Sequence, residues 1–477
     1  MIMPKNTGPY HIIGVGGIGM SAIADIMQTH GYAVQGSDQK DSANLRRLAK
    51  KGVRVFPYHD AVHLEGVKRV VISSAVKTGN PELDAARAAG LPIISRAEML
   101  AELMRMHRTV AVTGSHGKTT TTAMISWIFE QSGADPTVIA GGIINGWGTN
   151  ARVGAGEWMV VEADESDGTF IKLPTQIGVV TNIDPEHLDF YETLDGLHEA
   201  FEIFFANIPF YGVAVAGVDH PVVREIIERI GSVENGRRVI TFGAAHDADV
   251  QLTTTRINGT LMGFDVRLGA SVTGGERDLN GLKLLVPGHY NILNALAAIA
   301  VATEAGVCDD AIRDALATFS GVKRRFTFVG DWNGVDIYDD YAHHPAEIAA
   351  VLKAARQGAK GRVIAIAQPH RYSRLKGLFE DFSACFADAD IVILSPVYSA
   401  GEKPNGVDHV TLAESVRRTG HMDVRTIESD AEIPGLIAAL TRPGDMVLGL
   451  GAGTITDWIN ALPSILQAST QNAAAAE

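Results

Sequence analysis

The chain has 477 residues, 46% apolar and 20% charged, with a formal charge of −14 and only two cysteines, Cys308 and Cys385. That length exceeds what one hydrophobic core can hold and calls for two to four domains. The acidic balance excludes a general nucleic-acid binder, and the two distant cysteines exclude a disulfide scaffold or a cysteine zinc site.

The opening M-I-M-P-K-N-T-G-P-Y has neither a signal nor a transit pattern, and no stretch is apolar and long enough to span a bilayer. A cytoplasmic protein without a membrane partner is expected. A strand at 11–13 runs into Gly14-Val15-Gly16-Gly17-Ile18-Gly19 and then a helix over 20–29, with further strands near 32–35, 70–72 and 91–94. This alternation reads as a parallel α/β domain over residues 1–107. The glycine series after a strand, with Asp38 following 19 residues past Gly19, is the pattern that seats a diphosphate on a helix N-terminus and an acid on a ribose hydroxyl. It does not distinguish a dinucleotide from a sugar nucleotide, and a purely structural turn is the plain alternative.

A second block, residues 108–322, begins with a strand at 109–112 and the stretch Thr113-Gly114-Ser115-His116-Gly117-Lys118-Thr119-Thr120. The general phosphate loop G-x-x-x-x-G-K-[ST] needs a glycine where this chain has Val112, so the loop is short. A structural turn would explain the glycines, but not a lysine and four threonines at a helix start, where backbone N–H groups face an anion. Lysine there reaches β and γ phosphates and Thr119 ligates magnesium. The strand at 158–161 ends in Glu162-Ala163-Asp164-Glu165-Ser166-Asp167, whose place past a buried strand favours a metal site over a solvated charge run. The strand at 177–180 leads to His187, a second candidate metal contact. Residues 238–285 read as antiparallel strands, and 291–305 as a helix.

The third block, residues 323–466, alternates strands at 362–367, 391–394 and 446–448 with helices, and 467–477 read as a frayed tail. The loops Asp339-Asp340-Tyr341-Ala342-His343-His344 and Gln368-Pro369-His370-Arg371-Tyr372-Ser373-Arg374 gather groups able to bind a carboxylate or phosphate, though each taken singly reads equally as a surface loop.

In this order, the shortened loop, E-A-D-E-S-D, N-I-x-x-x-H-x-D, H-x-N-x-x-N, R-R-F, D-D-Y-A-H-H-P and Q-P-H-R-Y-S-R resemble the Mur ligases of bacterial peptidoglycan synthesis, and within them the branch that adds L-alanine. The resemblance spans residues 11 to about 455. It implies a three-domain α/β architecture: a Rossmann-like N-terminal domain, a central P-loop ATPase domain and a Rossmann-like C-terminal domain. It implies UDP-substrate binding by Gly16, Gly17, Ile18, Gly19, Asp38, Ser73, Ser74 and Arg96, and ATP binding by residues 114–120, Asn291, Asn294 and Arg325. Two magnesium ions, with manganese as an alternative, would be held by Thr119, Glu162 and His187. Lys118, Glu162, His187, Arg325, Asp340 and His343 would serve catalysis. Tyr341, His343, His370, Arg371 and Arg374 would receive the amino acid and carboxylate.

The implied partners are ATP, UDP-N-acetylmuramate and L-alanine, in a monomer or weak homodimer. Sister ligases use a carbamoylated lysine near this His; here no lysine lies between Lys172 and Lys283, and Glu199 or Glu202 stands in that region. Rival readings are a ligase that joins a whole tripeptide to the same sugar nucleotide, a dinucleotide-dependent oxidoreductase, and a non-catalytic nucleotide-binding protein.

Overall fold

A computed structural model describes residues 8–73, 75–230 and 237–476. The chain forms two compact units: one contains residues up to Thr253 with Asp265–Asn280 and Leu293–Leu316, the other Thr254–Phe264, Gly281–Ile292 and the chain from Ala317.

The first unit carries a five-stranded sheet and the greater part of a ten-stranded one. Five parallel strands lie in the order Arg54–Phe56, Val34–Ser37, Tyr10–Ile13, Arg69–Ile72, Ile93–Ser95. The order reverses between Tyr10–Ile13 and Arg69–Ile72, so Gly14 and Ser73 leave the sheet side by side at the switch point where open α/β sheets bind ligands. The sequence places four of these strands within two residues and misses the three-residue edge strand Arg54–Phe56; Val34–Ser37 begins two residues later than read.

A buried hub braces this sheet. Glu82, wholly buried, accepts bonds from Ser37 Oγ (2.5 Å) and faces His63 Nδ1 (2.7 Å), His59 Nδ1 (2.9 Å) and His11 Nε2 (3.3 Å). Burial alone would raise the carboxyl, but hydrogen bonds from His11, Ser37 and His63 outweigh it and hold the group down to about 2. The hub ties the end of Val34–Ser37, next to Asp38, to three other segments.

The second sheet has ten strands, ordered Arg277–Leu284, Leu261–Leu268, Val250–Asn258, Arg238–Gly243, Val213–Gly217, Ile177–Val180, Arg108–Thr113, Trp158–Glu162, Thr137–Ile144, Thr149–Arg152. Residues 238–285 are not all antiparallel as the composition suggests. Arg238–Gly243 extends the parallel sheet beside Val213–Gly217 and meets Val250 in parallel, and the hairpin begins only at the two-residue turn after Asn258. Composition reports strand propensity but not partner direction. Helix Ile18–Thr29 packs its buried Ile23, Ile26 and Met27 in one core with Ile139 and Ala151 of this sheet, so the two sheets of the unit share apolar packing.

The second unit has a six-stranded sheet, ordered Thr327–Trp332, Val335–Asp340, Met446–Leu450, Val363–Ala367, Ile391–Leu394, Val424–Thr426, parallel except for its first edge strand. Asp340, Leu450, Ala367 and Leu394 lie level in register, so the loops after them open on one end. The last helix, Ile455–Ala476, corrects the expected frayed tail from residue 467. Ile455, Ile459, Leu462 and Leu466 anchor it in the core, Trp332 Nε1 donates to Thr470 Oγ1 (3.2 Å), and the alanine-rich end propagates a helix already nucleated. Both cysteines are free, and no described helix is long and apolar enough to cross a membrane.

Replacing Glu82 with Ala leaves three imidazoles around an empty hub. Loss of a buried charge from its partners costs about 3–5 kcal/mol. Urea unfolding followed by hydrogen exchange in Tyr10–Ile13 and Val34–Ser37 should show that loss. Because the folded carboxyl lies below its unfolded value, its contribution is complete above about pH 4.3 and disappears as pH falls towards 2. An unchanged midpoint at pH 7 contradicts the assignment.

Candidate active site

The strands Arg108–Thr113, Trp158–Glu162 and Ile177–Val180 are adjacent and parallel, with Thr113 level with Val180 and Val112 with Glu162. Their ends therefore project one set of loops, and the short phosphate loop is the central one.

The missing glycine is compensated by the neighbouring loop rather than by longer chain. His116 N donates to Asn182 Oδ1 (2.7 Å) while Asn182 Nδ2 and Thr181 Oγ1 donate to His116 O (3.0 and 2.6 Å). Ser115 Oγ donates to Asp184 O and accepts from Asp184 N. His116 and His220 flank the Asp184 carboxylate, at 3.1 and 3.2 Å, and hold it well below the usual carboxylate range despite burial. Gly114, at φ +124°, lies so close to residues 181–182 that a Cβ would fall 2.8 Å from Asn182 O. Gly117, at φ +82°, caps helix Lys118–Gln131 in a left-handed conformation, and a Cβ there would enter the Asn294 side chain. Thr120 is buried in that helix, and Asn294 also accepts from Thr121 Oγ1 (3.2 Å).

Lys118 Nζ donates to Gly114 O (2.7 Å), Ser115 O (3.0 Å) and Glu165 Oε1 (2.9 Å). Burial opposes its charge, but Glu165 together with Glu162 and Asp164 outweighs that and raises the ammonium pKa, so Lys118 is a fixed cation. Thr119 Oγ1 donates to Glu162 Oε1 (2.8 Å), and Glu162 Oε2 accepts from Gly141 N (2.5 Å). Beside them, Glu165, Glu186 and His187 hold ligand atoms within 4.8 Å of one another, with His187 Nε2 3.5 Å from Glu165 Oε1. Glu165 raises the His187 pKa.

The structure thus joins Thr119 to Glu162, as the sequence suggests, and gathers His187 with Glu165 and Glu186. A magnesium ion fits these hard oxygen donors, and the buried Glu165 Oε2 has no hydrogen-bond partner among the described residues. Glu165 was legible only as one of four acids in a run; its position three residues past Glu162, turned inward by a loop, carried no distinguishing signal. Glu199 is exposed and Glu202 pairs with Arg229 (2.7 Å); among the described residues, Glu165 and Glu186 lie beside His187.

At the first sheet, Gly17 caps helix Ile18–Thr29 without a side-chain partner, leaving a helix N-terminus suited to an anion. Exposed Ile18 begins the helix, Gly19 approaches Arg96, and Ser73 flanks Gly14. Ser74 lies outside the described residues. Asp38 differs from the ribose-binding reading: Oδ2 accepts from Gly16 N (2.8 Å) and Oδ1 from Gln39 N (2.7 Å), so it shapes the glycine loop itself. Arg96 Nη2 lies 3.9 Å from Asp167 of the acidic run, joining the two sheets' loops.

In the second unit Asp340 also differs from a substrate-facing acid. It is buried with Oδ2 accepting from Phe326 N and Oδ1 from Ala342 N, both at 2.7 Å, and burial raises it to about 6. It therefore fixes the turn holding Arg325 and the loop holding Tyr341 and His343. The Arg325 guanidinium lies over the Tyr341 ring (5.2 Å) and 3.8 Å from Glu347. His343 and His370 meet edge to face at 5.8 Å, and Arg371 and Arg374 follow on the same turn. Burial, then His343, Arg374 and Arg371, lower the His370 pKa to about 4, leaving it neutral at pH 7. Asn291 Nδ2 donates to Pro287 O (2.6 Å) at the start of helix His289–Glu304, which also carries Asn294.

Gly141→Ala places a Cβ within 2.5–2.8 Å of the Glu162 carboxylate. A Mg²⁺ titration of phosphate release from ATP should show a higher metal requirement with unchanged circular dichroism; an unaltered titration contradicts the pairing of Gly141 N with Glu162.

Three sequence profiles match the chain: "Mur ligase family, catalytic domain" over residues 9–108, "Mur ligase middle domain" over 112–302, and "Mur ligase, glutamate ligase domain" over 324–453. The chain is 56% identical over 470 residues to UDP-N-acetylmuramate–L-alanine ligase of Mesorhizobium japonicum, covering 98% of this chain and 100% of that one. It is 55% identical over 469 residues to the enzyme of the same name from Methylobacterium radiotolerans, covering 98% and 99%. Among solved structures, it is similar to the UDP-N-acetylmuramate–alanine ligase of Thermotoga maritima, with a TM-score of 0.78, 29% identity and coverage of 97% and 100%. A murein peptide ligase from Psychrobacter arcticus shares the fold, with a TM-score of 0.67, 22% identity and coverage of 96% and 98%.

Proposed function

The chain belongs to the Mur ligase family, and from that premise we propose that it is an ATP-dependent ligase joining L-alanine to the lactyl carboxylate of UDP-N-acetylmuramate in peptidoglycan precursor synthesis. The observation that carries this reading is full-length identity of 56% to an alanine-adding enzyme. The murein peptide ligase is similar at 22%, which supports a common fold rather than a common substrate. The oxidoreductase reading leaves Lys118, Glu162 and Glu165 without a role.

A carboxylate is a poor electrophile. Transfer of the ATP γ-phosphoryl group to it gives an acyl phosphate, ADP leaves, and the amine of L-alanine then attacks the acyl carbon, forming the amide and releasing phosphate. Lys118 offsets charge on the transferring phosphoryl group, and its Glu165 partner keeps it protonated and oriented. Thr119, Glu162, Glu165, Glu186 and His187 would hold magnesium, which supplies charge neutralisation between ATP and the carboxylate. The helix N-terminus after Gly17, with Arg96, receives the UDP diphosphate. Arg325 and Asn294 serve the nucleotide, and Arg374, His370 and Tyr341 serve the amino acid. Consumption of ATP and a nucleotide-sugar precursor supports a cytoplasmic site of action.

Phosphate release from MgATP and UDP-N-acetylmuramate is expected to depend on L-alanine and not on L-Ala-γ-D-Glu-diaminopimelate; the converse assigns the recycling reaction. Lys118→Ala should reduce turnover about a hundred- to a thousandfold. Binding of UDP-N-acetylmuramate, read by calorimetry, should survive, because the glycine loop of the first sheet does not involve Lys118.

A further inference from the structure

Arg371 has φ +69° and ψ 129°, a sparsely populated conformation for a residue with a Cβ. Nothing in its own sequence neighbourhood demands this. The turn is held from another loop, the one that follows Ile391–Leu394. Arg371 N donates to Tyr398 O (2.9 Å), and Tyr398 N donates to Pro369 O (2.8 Å). Glu402 then closes the clasp. Its Oε1 accepts from Arg371 Nε (2.6 Å) and Ser373 Oγ (2.7 Å), and its Oε2 accepts from Ser373 N (2.9 Å).

The clasp surrounds two polar groups with nothing to bond. Arg374 Nη1 and His370 Nδ1 are both buried and lack a hydrogen-bond partner among the described residues. The His370 ring is stacked on Tyr398, with centroids 5.4 Å apart and planes 17° apart, so the loop that carries Glu402 also sets the imidazole. The buried Arg374 Nη1, a donor, calls for an acceptor, and His370 Nδ1 on the same turn is left for a second polar contact. Glu402 engages one arginine of the pair and leaves the other for that acceptor.

We propose that Glu402 is a positioning residue for the incoming amino acid: by clamping Arg371 and Ser373 it maintains the strained turn that presents Arg374 and His370 to the amino-acid carboxylate. Arg371 is then part of the clasp, and Arg374 is the carboxylate receptor. This rests on the alanine-ligase reading given above. Neutral His370 adds no second positive charge, so the guanidinium of Arg374 supplies the counter-charge.

The test compares wild-type protein with Glu402→Ala, Glu402→Gln, Arg371→Ala and the double variant Glu402→Ala/Arg371→Ala, reading steady-state phosphate release with each substrate varied in turn. Wild-type turnover that does not depend on L-alanine overturns the underlying reading before any variant is considered. Given alanine-dependent turnover, Glu402→Ala should raise KM for L-alanine about ten- to a hundredfold, as loss of charge-assisted hydrogen bonds does, while KM for ATP and UDP-N-acetylmuramate stays within about twofold. The isosteric Glu402→Gln should lie between, since an amide oxygen still accepts from Ser373. The double variant should be no worse than the poorer single variant, because both act through one clasp. The proposal is overturned by an unchanged alanine KM in Glu402→Gln and Glu402→Ala, by equal rises in all three KM values with a lowered unfolding temperature, or by additive effects of the two single changes.

Discussion

The buried pair of Lys118 and Glu165 is the constraint around which the central site is arranged. Each charge alone would be costly in that environment, and together they persist because the lysine also caps the carbonyls of Gly114 and Ser115. The pair thereby ties the loop after Arg108–Thr113 to the loop after Trp158–Glu162. It also sets a charge pattern: an ammonium facing the phosphate loop, with Glu165 Oε1 shared between Lys118 and His187 and Glu186 close by. Loop shape, lysine charge and metal-donor geometry are therefore one interaction seen from three sides.

Close approach of backbones makes this compact. Gly114, Gly117 and Gly141 each occupy a position where a single Cβ would strike, respectively, the residue 181–182 segment, Asn294 and Glu162. Three loops and one helix can then share a volume that side chains would otherwise fill. The short phosphate loop works because the 181–184 segment supplies the bracing that extra loop residues would provide elsewhere.

The same use of acids recurs in the five-stranded and six-stranded sheets, where carboxylates that look like ligand contacts shape loops. Asp38 bends the glycine turn, Asp340 joins two backbone segments, and Glu402 clasps a strained turn. In each case the carboxylate oxygens are spent on donors of the protein itself, and the groups left available are the helix N-terminus after Gly17 in the first sheet and Arg374 with His370 in the third.

Much of this was legible in the sequence. Strand cores such as Ile177–Val180 and Ile391–Leu394 coincide with apolar runs, because burial on both faces of a parallel strand demands continuous apolar residues. The order of glycine turns after strands located the loops, and the association of Thr119 with Glu162 followed from adjacent strand ends. Other facts needed the folded chain. Strand direction over residues 238–258, the selection of Glu165 from four neighbouring acids, and the clasp between Arg371 and Glu402, 31 residues apart, all depend on which segments meet in space. Local sequence records propensity and periodicity, whereas a carboxylate's role is set by the donors that reach it. For Asp38, Asp340 and Glu402 those donors are chosen by tertiary contact, and only the tertiary structure decided them.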